Sequence, residues 1–491
     1  MGRSLLVEVK PPAGPSWYYE YKESGWPEFE IKKVTYPSGG FINYTFGDEN
    51  IVISGSSVNY RVVKTRTTGG YAITPGAWQY EYDYGNENVG KTTVSGPLGV
   101  TEKHYFYGAG YAANIGNMWR IGLQTRKEIL KNNIVVEETT YEWDNSLFIS
   151  DEDRFSPPFI GVDDKIYVPA VKKVNIKRGS QNYSTTYSNF DNRGNPGTIV
   201  ETGQKSRTTS RIYDNSAVLL EKNFISLVKK ETSSGAGSTF EINYEYDTRG
   251  NVLSVDKYGI KTTYTYFPNG NLASETDANN HNIKYSDYKN GAAQKIENPE
   301  YSTQKSIILW GTVEWQKDGR GNVTSFEYDQ LNRITKVDFP GPEANIVLEY
   351  AANGRWARMT QGTYWVQYSF DGFGRLIDTE NSVGVKSKIA FQSYPFSSVL
   401  VGDIYTFFSL VRLQKITHQY CKVIDYTYND AQNKITIKNE NLISTAYTYE
   451  SYGSPQEKLL IGVDDPIAAT GYQYNVLGSL TQINAPGGLT R

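Results

Sequence analysis

The sequence predicts an all-β protein, a long antiparallel ribbon of hairpins built from repeats of about 21 residues. Three observations carry this. Composition is the first: 40 Tyr and 45 Gly stand against three Met in 491 residues, rich in strand-forming aromatics and turn formers and poor in the flexible side chains of helical cores. Alternation is the second: in IKTTYTY, Ile260, Thr262, Tyr264 and Tyr266 take one face of a strand, and Lys261, Thr263 and Thr265 the other. The third is recurrence. INYEYDTRGNVLSV, TTYTYFPNGNLASE, TSFEYDQLNRITKV, VQYSFDGFGRLIDT, IDYTYNDAQNKITI, TAYTYESYGSPQEK and TGYQYNVLGSLTQI share an aromatic-x-aromatic core, mostly followed by Asp or Asn and a turn. The second aromatics lie 20 residues apart from Tyr246 to Tyr266, 22 from Tyr266 to Tyr288, 22 from Tyr328 to Tyr350, 20 from Tyr350 to Phe370 and 21 from Tyr428 to Tyr449. One such unit is not stable alone, so neighbours must stack edge to edge.

Taken in order, residues 1–185 form an irregular region of hairpins with degenerate units. VTYPSGGFINYTF, Val34 to Phe46, is hairpin-like, and YEYDYG around Tyr82 is a weak copy of the repeat. Just after it, Gly85, Gly90, Lys91 and Thr92 match the phosphate-loop pattern G-x-x-x-x-G-K-T. That loop functions only where it opens a helix. Here β-branched Thr92 and Thr93 and then Gly96-Pro97 oppose one, so the stretch is expected to be a turn. Gly108, Gly110 and Ala113 match a dinucleotide fingerprint in letters, but no amphipathic helix follows. Residues 186–491 are the regular ribbon, with NFDNRGN at Phe190 and IYD at Tyr213. In YDTRGN, Asp247 accepts backbone N–H groups two residues on, Gly250 takes a positive φ, and VLSV runs back. In YTFFSLVRL, Phe408 replaces the Asp and Val411 the Gly, which predicts a local packing contact in place of a clean turn.

The formal charge of −3, with no run of Lys or Arg, argues against a nucleic-acid partner. Cys421 is the single cysteine, and His104, His281 and His418 are scattered, so neither a disulfide framework nor a zinc site is expected. No apolar run is long enough to span a membrane, and MGRSLLVEVKPP is too short in apolar residues for a secretory signal. Asp151 to Asp153, Asp163-Asp164 and Asp464-Asp465 lack the ladder of a calcium loop. There is no G-x-S-x-G, and on a strand His418 and Cys421 point to opposite faces. We therefore expect no enzyme, no metal and no cofactor. Trp17, Trp26, Trp310, Trp315, Trp356 and Trp365 fall off the marker positions. They are either plugs or an exposed surface for stacking on sugars; the last four are the candidate ligand-facing aromatics, and glycans the alternative partner.

Tyr246-Asp247-x-x-Gly250-Asn251, Tyr328-Asp329-x-x-Asn332-Arg333 and Phe370-Asp371-x-x-Gly374-Arg375-Leu376 resemble the YD-repeat, or Rhs-repeat, family. The resemblance implies a ribbon that spirals into a hollow shell, as in bacterial insecticidal-toxin B and C subunits, polymorphic Rhs toxins and teneurins. It implies as partner an enclosed passenger or the remainder of a longer Rhs-type polypeptide, and a place outside the cell or on a bacterial surface. The family's self-cleavage motif is built on Asp-Pro-x-Gly; here Ile467 and Ala468 follow Asp465-Pro466, so no protease residue carries over. The chain, which stops soon after Pro486-Gly487-Gly488, is expected to be a piece of a longer protein. Roughly 40 strands at about 4.8 Å each make a ribbon of about 190 Å, enough for about one loop some 60 Å across. The expected function is a non-catalytic shell or scaffold segment. The alternatives are a carbohydrate-binding adhesin module and a shell fragment of a toxin delivery protein.

Overall fold

A computed structural model describes residues 5–22, 30–53, 56–86, 88–113, 115–144, 169–308, 311–393, 397–401, 404–408, 411–418, 423–439 and 441–490. Among them the chain is all-β, and its one α-helix, Ala217–Leu220, has four residues. Of 40 strands, 38 join a single sheet. Each pairs antiparallel with the next in sequence, so the sheet is one continuous meander. The two remaining strands, Ser397–Val401 and Ile404–Phe408, form a hairpin with each other. It is looped out between Lys386–Ser393 and Val411–His418, which pair directly.

One unit shows why these residues make this element. Ser238–Tyr246 runs out to a bulge between Glu245 and Tyr246, the chain turns at Asp247, and Val252–Lys257 returns. At the far end Tyr258 (φ 59°) and Gly259 (φ 84°) reverse it into Ile260–Tyr266, the two consecutive positive φ values that a tight two-residue hairpin requires. The ribbon thus has two edges. The aromatic edge carries the turns that follow the second aromatic of each unit, and the opposite edge carries the rest. Bulges recur at the second aromatic, before Tyr213, Tyr266, Tyr328, Phe370, Tyr449 and Tyr474. Each adds twist just before the turn.

Cross-strand register sorts the side chains. On one face Tyr244 pairs with Val255, Tyr285 with Ile296, Phe326 with Val337 and Leu348 with Met359. On the other, Glu245 pairs with Ser254, Lys284 with Glu297, Glu327 with Lys336 and Glu349 with Arg358. There is almost no conventional core. The accessible surface is 29397 Å², whereas a compact monomer of this mass exposes roughly 18,000 Å². The molecule is a single-layer wall.

That wall closes on itself. After 25 strands, from Gly40–Ile53 through Tyr364–Phe370, the turn at Gly372 meets the backbone of Gly40 and Tyr71. One circuit therefore takes about 120 Å of sheet, a narrower loop than the single wide one expected. The strands after Phe370 continue as a second coil lying against the first.

Candidate functional site: the repeat turns and the seam between coils

In the copies that carry the aspartate, one carboxylate organises the turn. Asp247 Oδ1 accepts from the N–H groups of Arg249 (2.8 Å) and Asn251 (2.9 Å), and Oδ2 accepts from Asn251 Nδ2 (2.8 Å). Asp191 is arranged likewise with Arg193 and Asn195. In Asp329 and Asp371 the i+4 partner is an arginine: Arg333 Nε and Arg375 Nε each donate to Oδ2 at 2.7 Å. The Asn or Arg that ends the D-x-x-G-N/R pattern is thus the side chain that closes the second carboxylate oxygen. Burial pushes the Asp191, Asp247 and Asp329 carboxyls up, but these hydrogen bonds outweigh it and hold all three below the usual aspartate range. Gly250 (φ 82°) and Gly374 (φ 78°) take the left-handed position, and Asn332 (φ 59°) does so in the copy without glycine.

The tyrosine before the turn ties hairpins together. Tyr246 Oη donates to the Val228 carbonyl (2.7 Å), Tyr266 to Val252 (2.8 Å), Tyr288 to Leu272 (2.6 Å), Tyr328 to Val313 (2.7 Å) and Tyr350 to Ile334 (2.9 Å). In each case the acceptor is the first residue of an earlier strand. Phe370 has no hydroxyl and gives this tie up. Burial raises the hydroxyl pKa of all five tyrosines.

The seam joins the aromatic edge of the second coil to the opposite edge of the first. At its start Gly372 N donates to Tyr71 O (2.7 Å), and Gly372 O accepts from Gly40 N (2.8 Å) and Ser38 Oγ (2.6 Å). Arg355 Nε donates to Ser38 O (3.0 Å), and its guanidinium lies 3.9 Å from the Tyr71 ring centre. A Cβ on Gly372 would stand inside contact distance of the Gly40 backbone, so only glycine fits. Asp371, one residue away, is 1% exposed. Further on, Tyr183 Oη receives Asn433 Nδ2 (2.7 Å) and Gln204 Nε2 (2.9 Å), and Ser451 N donates to Gln204 Oε1 (3.1 Å). Arg207 grips Glu201 (2.6 Å) within its own coil and Glu457 (3.4 Å) across the seam, with its guanidinium 4.4 Å from the Tyr452 ring centre. Tyr183, Ser451, Tyr452 and Val476, all at the seam, are among the most buried residues. Sequence reasoning missed these residues. The available signal was Ser451-x-Gly453-x-Pro455, where the other copies carry an Asp or Asn turn.

Of the tryptophans singled out from the sequence, Trp310 and Trp26 lie outside the described residues. Trp315, Trp356 and Trp365 lie within strands, half-exposed, on the polar face. The Arg358 guanidinium stands 4.6 Å from the Trp365 ring centre and 5.8 Å from that of Trp356, taking up ring surface that a sugar would need. Cys421, Asp151 to Asp153 and Asp163-Asp164 also lie outside the described residues. Lys91 sits in the strand Val89–Ser95, paired with Asp83 (2.9 Å), and Thr92 continues that strand instead of opening a helix. Ala109–Ala113 is a single short 3-10 segment. No helix among the described residues is long and apolar enough to cross a membrane.

No family model matches the chain, and no curated protein matches it. Among solved structures it is similar to TcdB2-TccC3, with 9% identity and a TM-score of 0.53, covering 96% of this chain and 38% of that one. It is similar to TcdB2-TccC3 without its hypervariable C-terminal region (8% identity, TM-score 0.53, 96% and 40% covered) and to TcdB2-TccC3-TEV (8%, 0.51, 96% and 40%). The chain therefore spans about two fifths of the length of those structures and shares their fold along nearly all of its own.

Proposed function

We propose that this chain is a non-enzymatic segment of a YD-repeat shell whose wall encloses a passenger polypeptide, within a longer protein that acts outside the cell. The seam is the observation that supports this best. A free array of binding sites has no need to close, whereas a container does. Where the coils touch, the seam packs turns of one on turns of the other and narrows the opening through which a contained chain would escape. The fold shared with TcdB2-TccC3 over 96% of the chain is consistent with the same reading. The shell fragment of a toxin delivery protein is its more specific form. Arg358, set against both tryptophan rings, leaves the sugar-binding alternative without a supporting observation.

The test is protease protection in the longer polypeptide to which the chain is proposed to belong. The enclosed passenger segment should survive digestion that degrades the same segment expressed alone. Equal rates of degradation would overturn the proposal.

A further inference from the structure

In two successive intervals of the seam the coils match strand for strand. Between the first-coil turns at Arg178 and Gly203 lie two strands, Gln181–Phe190 and Pro196–Thr202. Facing them, between the second-coil turns at Asp430 and Ser451, are two, Lys434–Lys438 and Ser444–Glu450. The next interval is again two against two, Ser206–Tyr213 and Val228–Gly235 against Leu459–Asp464 and Ala469–Tyr474. Nearer the start the match fails. Between Tyr71 and the Arg178 turn the first coil has six described strands, Gly76–Asn86, Val89–Ser95, Val100–Tyr107, Gln124–Lys131, Ile134–Asp144 and Ala170–Arg178. Between Gly372 and Asp430 the sheet of the second coil has four, Leu376–Asn381, Lys386–Ser393, Val411–His418 and Val423–Asn429. About 10 Å of first-coil edge, two strand widths, is left without a counterpart.

That interval of the second coil also holds the looped-out hairpin, whose two strands pair with each other. It is inserted at a turn of the aromatic edge, the edge that forms the seam on either side of it. Its sequence, SSVLV and IYTFF, is apolar. The unmatched first-coil edge carries apolar side chains left in solvent at its turns: Leu98 is 66% exposed, Ile134 70% and Val135 47%. Two missing strands, a two-stranded insert and an apolar surface awaiting cover coincide in one interval.

We propose that the paired strands Ser397–Val401 and Ile404–Phe408 dock into the seam over the turns that carry Leu98 and Ile134–Val135, completing the contact between coils. Its occupant is this chain's own hairpin because the established seam runs on from both sides of the gap. The proposal is independent of what the shell encloses.

Photo-cross-linking tests it. p-Benzoylphenylalanine placed at position 134 of the intact chain should cross-link to peptides from residues 397–408. The same group at position 467, where Ile467 is 92% exposed on a turn of the edge facing away from the seam, should not. No cross-link from position 134, or cross-links to another segment or to a second copy, would overturn the proposal. In a second variant, with residues 397–408 replaced by a short Gly-Ser turn, amide exchange at residues 96–100 and 131–136 should rise about tenfold or more while residues 247–251 stay unchanged. Unchanged exchange at those two turns in the folded variant would equally overturn it. If that variant does not fold, the cross-linking result decides alone.

Discussion

At the scale of the residue, the tyrosine before each turn buries its ring and ties its hydroxyl to a carbonyl in an earlier strand. Tyr246→Phe and Tyr328→Phe should each cost about 1 kcal/mol in urea denaturation, and the double variant should cost about their sum, since the residues share no partner. Ionisation bounds the same contacts. Tyr82 is pushed up to about 12, largely by burial, and the ladder tyrosines shift in the same direction from the ordinary value of 10.0. A raised folded pKa means that this stability is complete below the unfolded value and is lost as pH rises through the folded one. Alkaline unfolding should therefore begin above pH 10 and coincide with the appearance of phenolate absorbance. Asp191, Asp247 and Asp329 act in the opposite sense. Their folded values are depressed, so their contribution is present above the unfolded value of 3.8 and is lost as pH falls through the lower folded values. A circular-dichroism titration should be flat through neutral pH and fall at both ends.

At the scale of the element, the turn and the seam use neighbouring glycines for different reasons. Gly374 has a φ of 78° and open space around its missing Cβ, so Gly374→Val should cost about 1–2 kcal/mol through backbone strain alone. Gly372 has an ordinary φ but no room, because a Cβ there would meet Gly40 of the other coil. Gly372→Ala should leave its hairpin paired and yet release the coils. Hydrogen exchange should show faster exchange at Gly40 and Gly372, with strands Tyr364–Phe370 and Leu376–Asn381 still protected. If Gly374→Val and Gly372→Ala gave the same exchange pattern, the distinction between turn and seam would fail. The sequence alone ranks Gly374→Val above Asp371→Asn in cost. The near-complete burial of Asp371 under Arg375 narrows that difference.

At the scale of the whole molecule, stability is distributed along the ribbon and shape is concentrated in the seam. Each strand contacts the next, so the array resists local damage as a chain of neighbouring interfaces. Arg207 is different, because it connects residues about 250 positions apart. Arg207→Met should reduce thermal stability only modestly. It should expand the molecule in small-angle scattering and expose the amides of Lys205 and Ser451, as the end of the second coil lifts. Wild-type dimensions together with wild-type exchange at those amides would show that Arg207 does not hold the coils together.

The sequence by itself determined the ribbon. Strand alternation, the second aromatic and the D-x-x-G turn act within about 20 residues, and the N–H two residues on that Asp247 accepts can be read from spacing because the interaction is local. The same spacing, however, says nothing about how sharply the ribbon curves. Curvature accumulates from small twists at each bulge, and where the second coil lands depends on their sum over 25 strands. Only the tertiary structure therefore decided that Gly372 faces Gly40, that Arg207 reaches Glu457 and that Trp365 lies against Arg358 on the polar face. Those contacts join residues separated by hundreds of positions, or by the choice of face, and no single repeat carries their signature.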